Sequence, residues 1–100
     1  MPKGYWLARL DIDNEAEYAE YRKLNALAFA KYGAKFLVRG MVGENIFGTP
    51  RKHNVVIEFE SYDQAVACYR SAEYQAAKKH LAHVGETDLV IVAGYDGPQP

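Results

Sequence analysis

The chain has 100 residues, with 12 Lys and Arg against 13 Asp and Glu, a formal charge of −1 and 49% apolar residues. A balance this close to neutral supplies no long-range field to recruit nucleic acid or an anionic membrane, and no run reaches the roughly 20 apolar residues of a membrane helix, so neither partner is expected. A single cysteine, Cys68, excludes an intramolecular disulfide framework, and the opening Met1-Pro2-Lys3-Gly4 has no apolar signal core, so a cytoplasmic protein is expected.

Residues 5–12 alternate as a first strand, with Trp6, Ala8, Leu10 and Ile12 on one face and Tyr5, Leu7, Arg9 and Asp11 on the other. Asn14 and Glu17 then stand at capping-box spacing, and acidic residues precede basic ones as a helix dipole favours, so a helix is expected over 15–32. Its stripe is Tyr18, Tyr21, Asn25, Ala28 and Tyr32, and Gly33 supplies the left-handed stop. Residues 34–40 read as the second strand, bent by Gly40 and Gly43 and continued by Glu44-Asn45-Ile46-Phe47. The polar, turn-rich segment 48–53 joins it to a third strand at 55–59 as an antiparallel hairpin, which sets Arg39 and Glu58 on neighbouring strands.

Ser61 with Gln64 marks a second helix start, with Ala65, Val66 and Tyr69 facing inward, and Ser71 before Glu73 marks a further start running to about His83. A kinked helical region is therefore expected. The last strand, residues 87–94, contains Asp88-Leu89-Val90-Ile91-Val92-Ala93, which is apolar on both faces and must be covered on both. The helices suffice for one side of a sheet, so the other side is expected to meet a second copy of the chain. At this length only roughly 60–70% of the unfolded surface can be buried by folding alone, a shortage that self-association relieves.

Strand-helix-strand occurs twice, so the fold class is α+β: a ferredoxin-like βαββαβ unit with a four-stranded antiparallel sheet and its helices on one face. One domain is expected over residues 1–100, with its core at about 5–94 and a frayed tail at 95–100.

Three blocks carry a family likeness: Tyr32-Gly33-Ala34-Lys35-Phe36-Leu37-Val38-Arg39-Gly40, Val55-Val56-Ile57-Glu58-Phe59 and Tyr69-Arg70-Ser71-Ala72-Glu73-Tyr74-Gln75. In this order and spacing they resemble the bacterial domain-of-unknown-function family 1330, over roughly residues 5–94. The resemblance implies a dimeric α/β barrel, in which the sheet packs on its twin's, within a superfamily that includes cofactor-independent monooxygenases, muconolactone isomerase-like enzymes and haem-degrading enzymes. It implies no assigned reaction for this branch. Met41 and Glu60 depart from the usual pattern, where a second glycine and a proline often stand, and both touch loop geometry.

Arg39 and Glu58 offer a guanidinium fork and a carboxylate base for a carboxylate or enolate ligand, or else an ion pair at the sheet-to-sheet contact. The phenols of Tyr18, Tyr21, Tyr69 and Tyr74 would orient an aromatic or carbonyl compound, or would fill core, with Tyr21 and Tyr69 the preferred pocket members. His53, in a loop before a strand, is a candidate general base or an exposed loop residue. The ligand-binding set is thus Tyr21, Arg39, His53, Glu58 and Tyr69. His80 and His83 have metal-ligand spacing but no third ligand, and Lys78 and Lys79 repel a cation, so a solvated helix face is expected and no metal. Cys68 reads as a buried small hydrophobe, and Ser71 as a cap, since no Gly-x-Ser-x-Gly elbow surrounds it. No phosphate loop is present, so no nucleotide cofactor is expected. Two functions remain: a homodimer that binds or converts a small aromatic or oxygenated metabolite in a protomer pocket, as a cofactor-free oxygenase or isomerase would, or a non-catalytic ligand-binding or stress-associated dimer.

Overall fold

A computed structural model describes residues 2–100. The elements are β1 (Gly4–Leu10), α1 (Glu15–Lys31), β2 (Lys35–Gly40), β3 (His53–Phe59), α2 (Tyr62–Arg70), α3 (Ala72–Leu81) and β4 (Thr87–Ala93). The four strands form one antiparallel sheet in the order β2-β3-β1-β4, the ferredoxin-like order, with both crossovers returning over the same face.

Capping residues cut the helices where their chemistry dictates. The Asn14 side chain accepts the Glu17 amide at 3.1 Å and starts α1. The expected capping box is only half made, because the Glu17 carboxylate turns instead to His80 Nδ1, 2.8 Å away on α3. At the other end Gly33 takes φ +69° and the Ala34 amide reaches back to the Phe29 carbonyl at 2.9 Å, a Schellman ending. Ser71 both closes α2 and opens α3: its hydroxyl donates to the Cys68 carbonyl at 2.7 Å and accepts the Tyr74 amide at 3.1 Å. The expected kink is this shared cap. Helices α1 and α3 run antiparallel and side by side, joined by Tyr21 to Tyr74, Lys31 to Glu73 and Glu17 to His80.

The core lies between the helices and the sheet. Trp6 is its centre: the indole is 2% exposed, meets Phe29 and Tyr74 edge-on at 5.2 and 4.9 Å, and donates its Nε1 proton to the Ala65 carbonyl at 2.9 Å. Ala28, Phe29, Ile57, Phe59, Ala65, Cys68 and Tyr74 complete the cluster. Of the α2 residues expected inside, Ala65 is buried, whereas Val66 and Tyr69 are only partly so and Cys68 takes the inner place. Gly4 at the start of β1 has no room for a side chain, since a Cβ would overlap the Ser61 carbonyl oxygen at the α2 cap.

One expected element does not form. Residues 44–47 are irregular rather than a continued strand, and Met41, Val42, Ile46 and Phe47 project from an exposed loop. The physical reason is visible in β3, which begins at His53 and pairs with β2 only as far as Gly40, leaving no strand partner for the residues beyond. Asn45 is held instead by Arg9, whose Nη2 donates to its side-chain oxygen at 2.9 Å.

The face of the sheet away from the helices is open in the single chain. Register aligns Val38, Val56, Leu7 and Val90 in one row across all four strands. Leu7, Val38 and Val90 are 38%, 46% and 51% exposed, so this apolar row lacks cover. Lys35, Glu58, Tyr5 and Val92 form the row on one side of it, and Asn54, Arg9 and Asp88 the row on the other. Among the described residues no helix is long and apolar enough to cross a membrane.

Candidate functional site

Strand β2 has an irregularity that decides which residues can share a site. Phe36 stands opposite Ile57 but Val38 stands opposite Val56, so Leu37 is an extra, bulged residue. Ordinary alternation puts Phe36 and Arg39 on opposite faces; the bulge puts both on the helix side, where the Arg39 guanidinium lies 4.3 Å from the Phe36 ring centroid. Glu58 stays on the open face, opposite Lys35 and Tyr5, and its Oε2 accepts the Tyr5 hydroxyl at 3.4 Å. Arg39 and Glu58 are therefore separated by the sheet, and the expected guanidinium-carboxylate pair does not form.

Beneath α1 the helix-side rows leave a gap. One row runs Arg39, Val55, Ala8, Leu89 and the next His53, Leu10, Thr87. Ala8 is the only small side chain between Val55 and Leu89 in its row, and above it lies a narrow chamber of about 40 Å³. Tyr18, Tyr21, Asn25 and Phe29 of α1 roof it, Tyr74 and Leu81 of α3 close one side, and Thr87 forms part of its floor. Its volume suits about three waters, given that one needs roughly 10–15 Å³. An outer cleft of about 570 Å³ adjoins it, sharing Arg22, Asn25, Phe29, Phe36 and Arg39 as walls.

Polar groups at the chamber are unevenly satisfied. The Tyr21 and Tyr74 hydroxyls share a hydrogen bond of 2.8 Å. Burial pushes the Tyr21 phenol above its ordinary range, partly offset by hydrogen bonds with Tyr74 and Asn25; burial raises Tyr74 further. Both are neutral donors at physiological pH. In contrast, Thr87 Oγ1 and His53 Nδ1 are buried with no hydrogen-bond partner. They flank Leu10 in one row, and the His53 ring sits edge-on to Tyr18 at 5.8 Å. Two buried polar atoms without protein partners, next to a chamber of this size, suit it to a hydrogen-bonding guest.

Of the sequence-derived candidates, Tyr21 and Arg39 line the chamber and His53 stands beside it, while Glu58 is on the other side of the sheet and Tyr69 is outside. Tyr69 faces an open groove along β4, where its hydroxyl accepts Lys78 Nζ at 2.6 Å. Ala8, Arg22, Asn25 and Thr87 were not singled out as site residues. Arg22 shares the helical stripe of Tyr18 and Asn25 and so was within reach of the spacing argument; Ala8 and Thr87 acquire a role only through cross-strand neighbours.

Two further candidates have structural roles. His80 is paired with Glu17. Cys68 is fully buried, and burial pushes its thiol up to about 12. We expect native protein at pH 8 to resist an aromatic disulfide reagent, and one thiol per chain to react after denaturation; prompt native-state labelling contradicts the packing described. Because the folded thiol titrates above its unfolded value of 9.0, its contribution to stability is intact below pH 9 and is lost as the pH rises toward 12.

The family model for the domain of unknown function DUF1330 matches residues 3–95. No curated protein matches the chain. Among solved structures, the chain is similar to a protein of unknown function from Rhodopseudomonas palustris, with 18% identity and a TM-score of 0.74 over 96% of this chain and 85% of that one. It is also similar to SnoaB, a cofactor-independent oxygenase from Streptomyces nogalater, with 13% identity and a TM-score of 0.64 over 100% of this chain and 97% of the other. A dimeric protein of unknown function and ferredoxin-like fold from Bacteroides fragilis shares 18% identity at a TM-score of 0.54, over 91% of this chain and 95% of that one. At these identities the likeness concerns the fold, and it supports the ferredoxin-like assignment.

Proposed function

The chain belongs to the DUF1330 family, and on that footing we propose that it is a homodimer, each protomer of which binds or converts a small oxygenated or aromatic metabolite under α1, without a nucleotide cofactor. The observation that carries this reading is the chamber over Ala8, with neutral phenols in its wall, Thr87 Oγ1 orphaned on its floor and His53 Nδ1 orphaned beside it. Phenol and hydroxyl donors suit a carbonyl or hydroxyl oxygen, and aromatic walls suit a flat apolar body. A whole ring exceeds about 40 Å³, so a ring ligand enters by way of the outer cleft, with its oxygenated tip inward. Cofactor-independent oxygenation is what SnoaB is described as doing on this fold; in this chain His53, set against Tyr18 and Leu10 of the chamber wall, serves in this reading as the base that a conversion requires. Tyr69 contributes from outside, by packing its ring against Tyr74 at 5.5 Å. Glu58 belongs instead to the dimer face, at the polar edge of the apolar row.

A thermal-shift screen over aromatic and keto compounds tests the proposal, because a ligand of the native form raises stability by mass action. Ala8→Val supplies the control. Two added methyl groups fill the gap, each worth about 0.8 kcal/mol when buried and opposed by local crowding. We expect the variant to fold with unchanged or slightly raised stability and to lose every ligand-induced shift. Shifts that survive Ala8→Val place the ligand elsewhere, and silence of the native chain across the panel favours a non-catalytic structural dimer.

A further inference from the structure

The outer cleft adds Lys23 to the two arginines that it shares with the chamber. Arg22, Lys23 and Arg39 line it beside Asn25, Phe29 and Phe36, and no carboxylate does. Nor does any of the three cations form an ion pair with a described Asp or Glu. The chain as a whole carries a formal charge of −1, so this is a local arrangement rather than a share of a basic surface. Both guanidiniums lie against aromatic rings, Arg39 at 4.3 Å from Phe36 and Arg22 at 5.8 Å from Tyr18, which limits the freedom they lose on binding.

We propose that this cleft is the anion half of the ligand site, and that the ligand is a small organic carboxylate. Its carboxylate lies between Arg39 and Arg22, and its other end points toward Tyr21 and Thr87. The inference rests on the reading of the chamber as a ligand site and narrows it to a chemical class. A carboxylate fits better than a phosphate for a structural reason. The cleft abuts the middle of α1, residues 19–26, where backbone N–H groups are spent within the helix, so no nest or helix terminus is available to cradle a phosphate. What remains is side-chain forks, whose planar geometry matches a carboxylate. The cleft's volume of about 570 Å³ lies in the usual range for small-molecule sites.

The test is calorimetric titration of the full chain with a series of monocarboxylates, from acetate to phenylpyruvate, each beside its primary amide, and with inorganic phosphate. At least one carboxylate is expected to bind tenfold or more tightly than its amide and than phosphate. That preference is expected to shrink in 0.5 M NaCl and to be lost in Arg39→Gln, with partial return in Arg39→Lys. Arg39 is exposed, so the variants are expected to melt with the parent. An amide that binds as well as its acid, or affinity unchanged in Arg39→Gln, overturns the anion assignment while leaving a neutral-ligand chamber standing. Phosphate binding as tight as the best carboxylate overturns the carboxylate class. If no acid, amide or aromatic compound binds at millimolar concentration, both this inference and the chamber reading fall.

Discussion

Trp6→Ala is expected to cost about 3–5 kcal/mol, the range for removing a large aromatic side chain from a packed interior. The site leaves little scope for collapse. The indole is 2% exposed and is gripped by Phe29, Phe59, Tyr69 and Tyr74 from four elements. Its Nε1 proton also satisfies the buried Ala65 carbonyl, which truncation leaves without that donor. Domains of this size have roughly 5–15 kcal/mol in hand, so the loss consumes a large share of it. Chemical denaturation followed by circular dichroism measures the effect. Trp6→Phe separates the two contributions, because it keeps an aromatic ring but removes the donor, and it is expected to fall between Trp6→Ala and the native chain. A truncation costing under 1 kcal/mol contradicts the central place given to Trp6.

Leu7→Glu is expected to dissociate the proposed homodimer while leaving the protomer folded. Leu7 is central in the row Val38, Val56, Leu7, Val90 on the face that the helices leave bare, and it is already 38% exposed in the single chain. A carboxylate there faces water in the monomer at little cost. In a twofold dimer two unpaired carboxylates enter an apolar contact, each at a cost of several kcal/mol. A total of about 4 kcal/mol already raises the dissociation constant a thousandfold. Sedimentation velocity at micromolar concentration reads the outcome: native chain near twice 11.3 kDa, Leu7→Glu near 11.3 kDa with an unaltered circular dichroism spectrum. If native chain sediments as a monomer, or the variant as a dimer, the bare face is not the interface.

Local chemistry made most of the architecture legible. Asn14, Ser61 and Ser71 each have a side-chain oxygen that captures an amide three residues on, which is why helix starts could be read directly. Alternation assigned Trp6 and Leu10 to the core and Leu7 and Arg9 to the other face, because a strand's side chains change sides with every residue. The apolar doubling of β4 pointed to a face in need of a partner for the same reason.

The candidate site was half legible. Tyr21 lies on a helical stripe, and its place under α1 follows from period alone. Arg39 was named on the expectation of a Glu58 partner, and that expectation failed at a single residue: the bulge at Leu37 shifts the register of β2, so Arg39 turns to the helices and Glu58 remains on the open face. A bulge leaves no dependable trace in composition or period, because it depends on how two strands far apart in sequence meet. The same holds for Ala8, which is unremarkable in its own strand and becomes the floor of a chamber only between Val55 and Leu89. The order of elements, their caps and their apolar faces can thus be read along the chain, since these depend on neighbours a few residues away. Tertiary structure alone decided which polar groups meet and which stay orphaned, since cross-strand register and the space between layers are set by residues tens of positions apart.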